Sequence, residues 1–106
     1  MAGVITGNTQ SVGVASVTLS PSSVAANTTA EQTFTVPGIL ATDVVMDVTK
    51  PTAQAGLGIV GSRVTAANTV GITFSNNTAS PIVPTASQVY LIAWIRPDSV
   101  QPGVVG

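Results

Sequence analysis

Short runs of alternating apolar and polar residues, each closed by a Pro, Gly or Asn cluster, constrain this fold more than any other feature. In residues 69–75, Val70, Ile72 and Phe74 share one face, while glycine and hydroxyl side chains share the other. A period of two with one apolar face is typical of a half-buried antiparallel strand. No window combines helical spacing of apolar residues with freedom from Gly, Pro and β-branched clusters, so no long helix is expected.

The same pattern recurs along the chain and predicts an all-β fold. Strands are predicted over residues 16–19, 31–36, 44–48, 57–66, 69–75 and 90–96. The pair 57–66 and 69–75 is predicted to form a hairpin around Ala67-Asn68, because Asn tolerates a left-handed turn position. Short strands at this spacing, with turn residues between them, predict an antiparallel β-sandwich or a jelly-roll-like barrel.

The two ends of the chain differ from the middle. Residues 1–15 carry no charge, three glycines and small apolar side chains without a clear period, which predicts an extended N-terminal arm that binds a neighbouring subunit. The alternative is a first strand of the sandwich. Residues 16–97 are predicted to be the β-sandwich domain, and residues 98–106, rich in Pro and Gly, a flexible C-terminal tail.

Composition excludes most kinds of chemistry. The chain of 106 residues has no histidine and no cysteine, which removes thiol and imidazole catalysis and nearly every zinc, copper or haem site. Only 7% of residues are charged and the net charge is -1, which disfavours a nucleic-acid partner. Asn and Pro residues interrupt the charge-free stretch 64–95, so it is no membrane span. We expect no enzyme, no cofactor, no metal and no small-molecule substrate.

The charged residues and the glycines are predicted to have structural and not catalytic or ligand-binding roles. Asp43 and Asp47 lie four residues apart, too far along a strand for paired-carboxylate catalysis, and are predicted to be solvated. Asp47 and Lys50 are predicted to form a surface pair. The glycines around Leu57 lack a phosphate-loop pattern and predict a bulge or a close backbone approach instead.

The strand 90–96 is apolar on both faces. Tyr90, Ile92 and Trp94 share one face, and Leu91, Ala93 and Ile95 share the other. Such a strand needs a second covering surface, supplied either by the protein's own loops, such as residues 81–84, or by a subunit interface. The interface is favoured because Trp, Tyr and Arg are common interface anchors and because the chain has so little charge.

These patterns give two sets of predicted residues. The predicted core consists of Val17, Leu19, Phe34, Val36, Val70, Ile72, Phe74, Leu91, Ala93 and Ile95. The predicted interface with another subunit or a partner consists of Val4, Ile5, Val12 and Val14 in the arm and of Tyr90, Ile92, Trp94 and Arg96 in the last strand.

Three stretches carry a resemblance to a known family. Residues 30–38 (Ala-Glu-Gln-Thr-Phe-Thr-Val-Pro-Gly), 50–79 and 84–96 resemble the head decoration, or cement, proteins of tailed bacteriophages. The resemblance implies a virion protein, made in the host cytoplasm, that binds the major capsid protein on the capsid surface. It implies that the protein clamps adjacent capsid subunits, often as a homotrimer, and it supplies no catalytic residues.

A second class of function stays open from the sequence. A carbohydrate-binding or adhesin-like β-sandwich module of a phage tail, a fibre or a cell surface would have the same fold. That function requires exposed aromatic side chains to stack on sugar rings, and this chain has four aromatic residues, Phe34, Phe74, Tyr90 and Trp94.

Overall fold

A computed structural model describes residues 9–97 of the chain, with side chains from residue 11 onward. Within this range lie six strands and no helix. The strands are β1 (Thr9–Leu19), β2 (Thr28–Thr35), β3 (Val44–Thr49), β4 (Leu57–Ala66), β5 (Thr69–Asn76) and β6 (Gln88–Pro97). The predicted all-β class is confirmed.

The strands form two antiparallel sheets. Sheet I has the order β1-β6-β3, and sheet II has the order β2-β5-β4. Successive strands alternate between the sheets except at the β4–β5 hairpin, so each other connection crosses from one sheet to the other. Two antiparallel sheets are consistent with a β-sandwich, whereas the jelly-roll-like alternative is not confirmed.

The predicted β4–β5 hairpin forms where its turn residue allows it. Asn68 has a φ of 61°, a left-handed conformation that Asn adopts more readily than most residues. Its backbone carbonyl accepts a hydrogen bond from Val36 N–H at 2.8 Å, and its own N–H donates to the Ile39 carbonyl at 2.8 Å. Its side-chain oxygen accepts from Gly38 N–H. The hairpin turn thereby anchors the loop after β2.

The glycine-rich entry to β4 has the predicted structural role. Gly56 has a φ of 80°, and a side chain there would collide with the methyl group of Thr78. The register of β4 against β5 shifts between Ile59 and Gly61, which is a bulge. The glycines thus serve a close backbone approach and a bulge.

The core lies between the sheets and draws on both of them. Nine apolar side chains of the described residues form the buried core cluster: Leu19, Val24, Val36, Ile39, Val70, Ile72, Phe74, Tyr90 and Ile92. The central strands β5 and β6 supply five of them, because a central strand is covered along both edges and on its inner face. Val24 and Ile39 lie in loops that close the two ends of the sandwich.

The predicted core is right for sheet II and wrong for the last strand. Leu91, Ala93 and Ile95 lie on the face of β6 away from the core, and Tyr90 and Ile92 take the buried places. Alternation gives two faces but does not say which one points inward when both are apolar. Val17 and Phe34 are half-buried and pack against the core.

The boundary predicted at residue 15 does not appear in the structure. One strand, β1, spans Thr9–Leu19 and pairs with β6 throughout, so residues 9–15 are sheet residues, as the alternative interpretation had it. The extended arm is therefore not confirmed. Residues 1–8 and the predicted tail, residues 98–106, lie outside the described residues.

Candidate functional site: the outer face of sheet I

Sheet I presents an apolar face to its surroundings. Residues that pair directly across neighbouring strands share a face. Val12 of β1 and Val44 of β3 both pair with Ile95 of β6, and Val14 pairs with Ala93. We define the outer face of sheet I by its seven apolar residues: Val12, Val14, Val44, Val89, Leu91, Ala93 and Ile95. By the same pairing, its polar positions are Ser16, Thr18, Asp47 and Thr49.

This face is open among the described residues. Five of its seven apolar side chains, Val12, Val14, Val44, Val89 and Leu91, are 43–64% exposed. Met46, beside a bulge between Val45 and Asp47, is also exposed at the β3 margin. The loop at residues 81–84 does not cover the face, since Ile82 pairs with Val24 and Pro84 is buried. Contiguous exposed apolar side chains of this kind mark interaction surfaces.

The predicted interface residues fall into three groups. Val12 and Val14 lie on the outer face of sheet I, whereas Val4 and Ile5 lie outside the described residues. The remaining four residues, in β6, face the other way. Tyr90 and Ile92 are fully buried in the core, so the interface prediction for these two is wrong.

Trp94 and Arg96 lie at one end of the inner face and form a cluster. The Trp94 ring lies over Gly13 of β1, where a Cβ would approach ring carbon Cε2 to 2.8 Å. The guanidinium of Arg96 stacks on the same ring, 4.9 Å from its centroid. Arg96 also binds both carboxylate oxygens of Asp43, at 2.8 and 2.9 Å. Both side chains are therefore committed to intramolecular contacts.

Asp43, which was predicted to be solvated, is a buried carboxylate. Its side chain is inaccessible, and it accepts a further hydrogen bond from Leu40 N–H at 2.8 Å. The hydrogen bonds from Arg96 hold the pKa of Asp43 below its ordinary value. The sequence shows that Arg96 shares a strand face with Trp94. It does not show that Asp43 is the partner of Arg96, because the two residues lie 53 positions apart.

Sheet II carries the second ion pair of the described residues on its exposed side. Arg63 of β4 makes two hydrogen bonds to Glu31 of β2, at 2.8 and 2.9 Å, across Gly71 of β5. These hydrogen bonds lower the pKa of Glu31. The predicted Asp47–Lys50 pair does not form, because Lys50 Nζ donates to the Thr52 carbonyl instead.

Within residues 9–97 no cluster of three metal-ligating side chains occurs, and no helix is long and apolar enough to cross a membrane. A cavity of about 200 Å³ beside Trp94 is lined mainly by apolar residues and Arg96. The outer face of sheet I can bury apolar surface against a partner.

Comparison of the chain with protein-family models, curated proteins and solved structures finds no match. The resemblance to decoration proteins therefore stays a prediction from sequence.

Proposed function

We propose that this chain is a non-enzymatic virion protein that binds the outside of a bacteriophage head through the outer face of sheet I. One observation carries the proposal: the outer face of sheet I has five exposed and two half-buried apolar side chains, on a chain with only 7% charged residues. A soluble monomer with so little charge is poorly protected from association, whereas a protein held on a shell has this face covered.

The energetic argument requires no reactive group. Apolar area removed from water contributes roughly 25 cal/mol per Å², so a covered sheet face supplies binding free energy without specific chemistry. A protein that binds the assembled shell and not its separated subunits stabilises the shell by mass action. Each copy can bind modestly, because many copies act on one shell.

The proposed partner and location rest on the resemblance. The three stretches that resemble decoration proteins include the β4–β5 hairpin and most of β2 and β6. The proposed partner is accordingly the major capsid protein, and the proposed location is the capsid surface of a virion assembled in the host cytoplasm. The clamped subunits would be neighbours on the shell.

The binding experiment uses heads of the encoding phage that lack this protein. Purified protein mixed with such heads should co-sediment with them at a saturating stoichiometry, and decorated heads should release DNA at a higher temperature than bare heads. Protein that stays in the supernatant with intact bare heads contradicts the proposal.

The carbohydrate-binding alternative has less support from the aromatic residues. Tyr90 and Phe74 are fully buried, Phe34 packs against the core, and the Trp94 ring is held between Gly13 and Arg96. Sugar stacking requires an exposed ring face. Glycan-array binding that is lost in Trp94→Ala would favour this alternative.

A further inference from the structure

The four edge strands of the two sheets are not equally protected. An edge strand presents unpaired N–H and C=O groups, and proteins prevent unwanted pairing there with charges, prolines, bulges or covering loops. The edges of sheet I are β1 and β3, and those of sheet II are β2 and β4.

Two of these edges are interrupted by bulges. The register of β4 shifts twice, between Ile59 and Gly61 and between Val64 and Ala66, and the strand also carries Arg63. The register of β3 shifts between Val45 and Asp47, and Lys50-Pro51 follows its end. Bulges, charges and proline make both edges poor templates for another strand.

The β2 edge is protected by a charge and a loop. Glu31, which is ion-paired with Arg63, lies in the middle of the eight-residue strand, so a second strand pairing there would have to accommodate this charged pair. The Gln32 side chain binds both backbone groups of Ser22, accepting from its N–H at 2.8 Å and donating to its carbonyl at 2.9 Å. The preceding loop is thereby tied to this strand.

β1 has none of these features over residues 11–19, because its one register shift lies at its beginning, between Thr9 and Ser11. Its eleven residues include no charge and no proline, and its pairing with β6 is regular from Ser11 to Leu19. Nine regular residues give a straight edge of about 30 Å. Among the described residues, β6 is its one pairing partner. β1 is thus the longest strand and the least protected edge.

We propose that β1 pairs antiparallel with β1 of a second copy of this chain, joining two copies of sheet I into one six-stranded sheet. The comparison of the four edges indicates which strand pairs with β1. An uncharged strand is electrostatically compatible with itself, and the three other edges of a second copy are interrupted or charged. The pairing is therefore isologous and closes as a two-fold dimer instead of extending into a filament.

The dimer places the two apolar outer faces on the same side. A two-fold axis perpendicular to the sheet keeps the outer face outward in both copies, so Val12 and Val14 of each copy meet near the axis. This geometry gives a dimer in place of the trimer that the resemblance implies. It does not rest on the proposed capsid binding, since it concerns the edge of sheet I and not its face.

Cysteine cross-linking tests the pairing directly, because the chain has no cysteine of its own. Single cysteines at Val12, Val14, Ala15, Ser16 and Thr18 are oxidised alone and in pairwise mixtures, then resolved on non-reducing gels. Edge pairing predicts one strongest combination, with cross-linking falling off on both sides along β1. Folding of each variant is checked by its melting temperature.

A cysteine on the central strand distinguishes edge pairing from face-to-face association. In the proposed dimer the two β6 strands are three strand spacings apart, about 14 Å, beyond the reach of a disulfide. Leu91→Cys should therefore not cross-link. Efficient cross-linking of Leu91→Cys, with none along β1, would overturn the proposal in favour of stacked outer faces.

A charge at the edge provides the second test. Sedimentation equilibrium of the parent should show a mass rising with concentration from 10.5 kDa toward twice that value. Ser16→Lys should stay monomeric, while the matched variant Thr33→Lys on the β2 edge should dimerise like the parent. A monomeric parent at every soluble concentration, or equal dimerisation of both variants, would overturn β1 pairing, whatever the result with phage heads.

Discussion

The two sheets have similar inner faces and opposite outer faces. On sheet II, the outward positions of β2 and β5 are threonine, serine, glycine and glutamate: Thr29, Glu31, Thr33, Thr35, Thr69, Gly71, Thr73 and Ser75. On sheet I, the equivalent positions of β1 and β6 are mostly valine, leucine, isoleucine and alanine. The polar outer face of sheet II is compatible with solvent, whereas the apolar outer face of sheet I can be buried against a partner.

The comparison shows where function can be sought in a chain that has no histidine and no cysteine. Both central strands, β5 and β6, bury aromatic and β-branched residues in one common core, so the fold itself explains their inner faces. The outward positions of β2 and β5 carry no large apolar side chain, and Val60 at the β4 bulge is the one exposed large apolar residue of sheet II among the described residues. The fold therefore needs little apolar surface on an outer face. The exposed valines and Leu91 on the outer face of sheet I therefore require an explanation other than folding.

Adjacent residues on β6 give the largest expected contrast. Ile92→Ala removes a fully buried side chain and should lower the free energy of unfolding by about 2–5 kcal/mol. Leu91→Ala alters a side chain that is 43% exposed and should change it by less than about 1 kcal/mol. Urea denaturation measures both. Equal losses would mean that the outer face is part of the folding core.

Two glycines, one from each sheet, sharpen the comparison. A Cβ at Gly13 would meet the rigid Trp94 ring, so Gly13→Ala should cost about 1–3 kcal/mol and alter the fluorescence of the single tryptophan. A Cβ at Gly71 would meet the Glu31 side chain, which can move, so Gly71→Ala should be milder. A larger loss for Gly71→Ala in thermal denaturation would contradict this packing.

The two ion pairs differ in burial, and this difference should appear in how the stability of the protein changes at acidic pH. Because the folded pKa of Asp43 is depressed, its stabilisation is complete above its unfolded pKa of about 3.9 and is lost as pH falls through the folded value. Asp43→Asn should thus be less stable than the parent at pH 7, with the difference shrinking below about pH 4. Thermal melts across this range measure it, and a constant difference would contradict the assignment.

The exposed pair should give the smallest effect. Glu31→Gln removes the partner of an Arg63 side chain that is 69% exposed, where solvent screens the interaction. The depressed pKa of Glu31 gives the same sign, with stability lost as pH falls from about 4.3. Its melting temperature at pH 7 should lie closer to the parent than that of Asp43→Asn. The reverse order would show that sheet II depends on this pair.

The sequence predicts most of the strands because alternation and turn residues act locally. Residues 57–66, Asn68 and the strand after it are confirmed, since a hairpin requires only neighbouring residues. The inward face of β6 could not be predicted, because both of its faces are apolar and the choice depends on which sheet lies opposite. The Asp43–Arg96 pair also depends on residues far apart in sequence.

The N-terminal half of β1 could not be predicted from local sequence, because it depends on pairing with a distant strand. Residues 9–15 have weak local preference for any structure, and they become a strand because β6 offers them a partner. Once that pairing exists, Val12 and Val14 fall on the same face as Ala93 and Ile95. The outer face of sheet I therefore comes from pairing between distant segments and is not visible in any one of them.

The most direct test compares the outer faces by adding one lysine to each central strand. Leu91→Lys charges sheet I, and Thr73→Lys charges sheet II at the equivalent place opposite Glu31. Co-sedimentation with heads that lack the protein should be lost for Leu91→Lys and retained for Thr73→Lys, with both variants folded by thermal melting. Retained binding of Leu91→Lys, or loss confined to Thr73→Lys, would contradict the assignment of sheet I as the binding face.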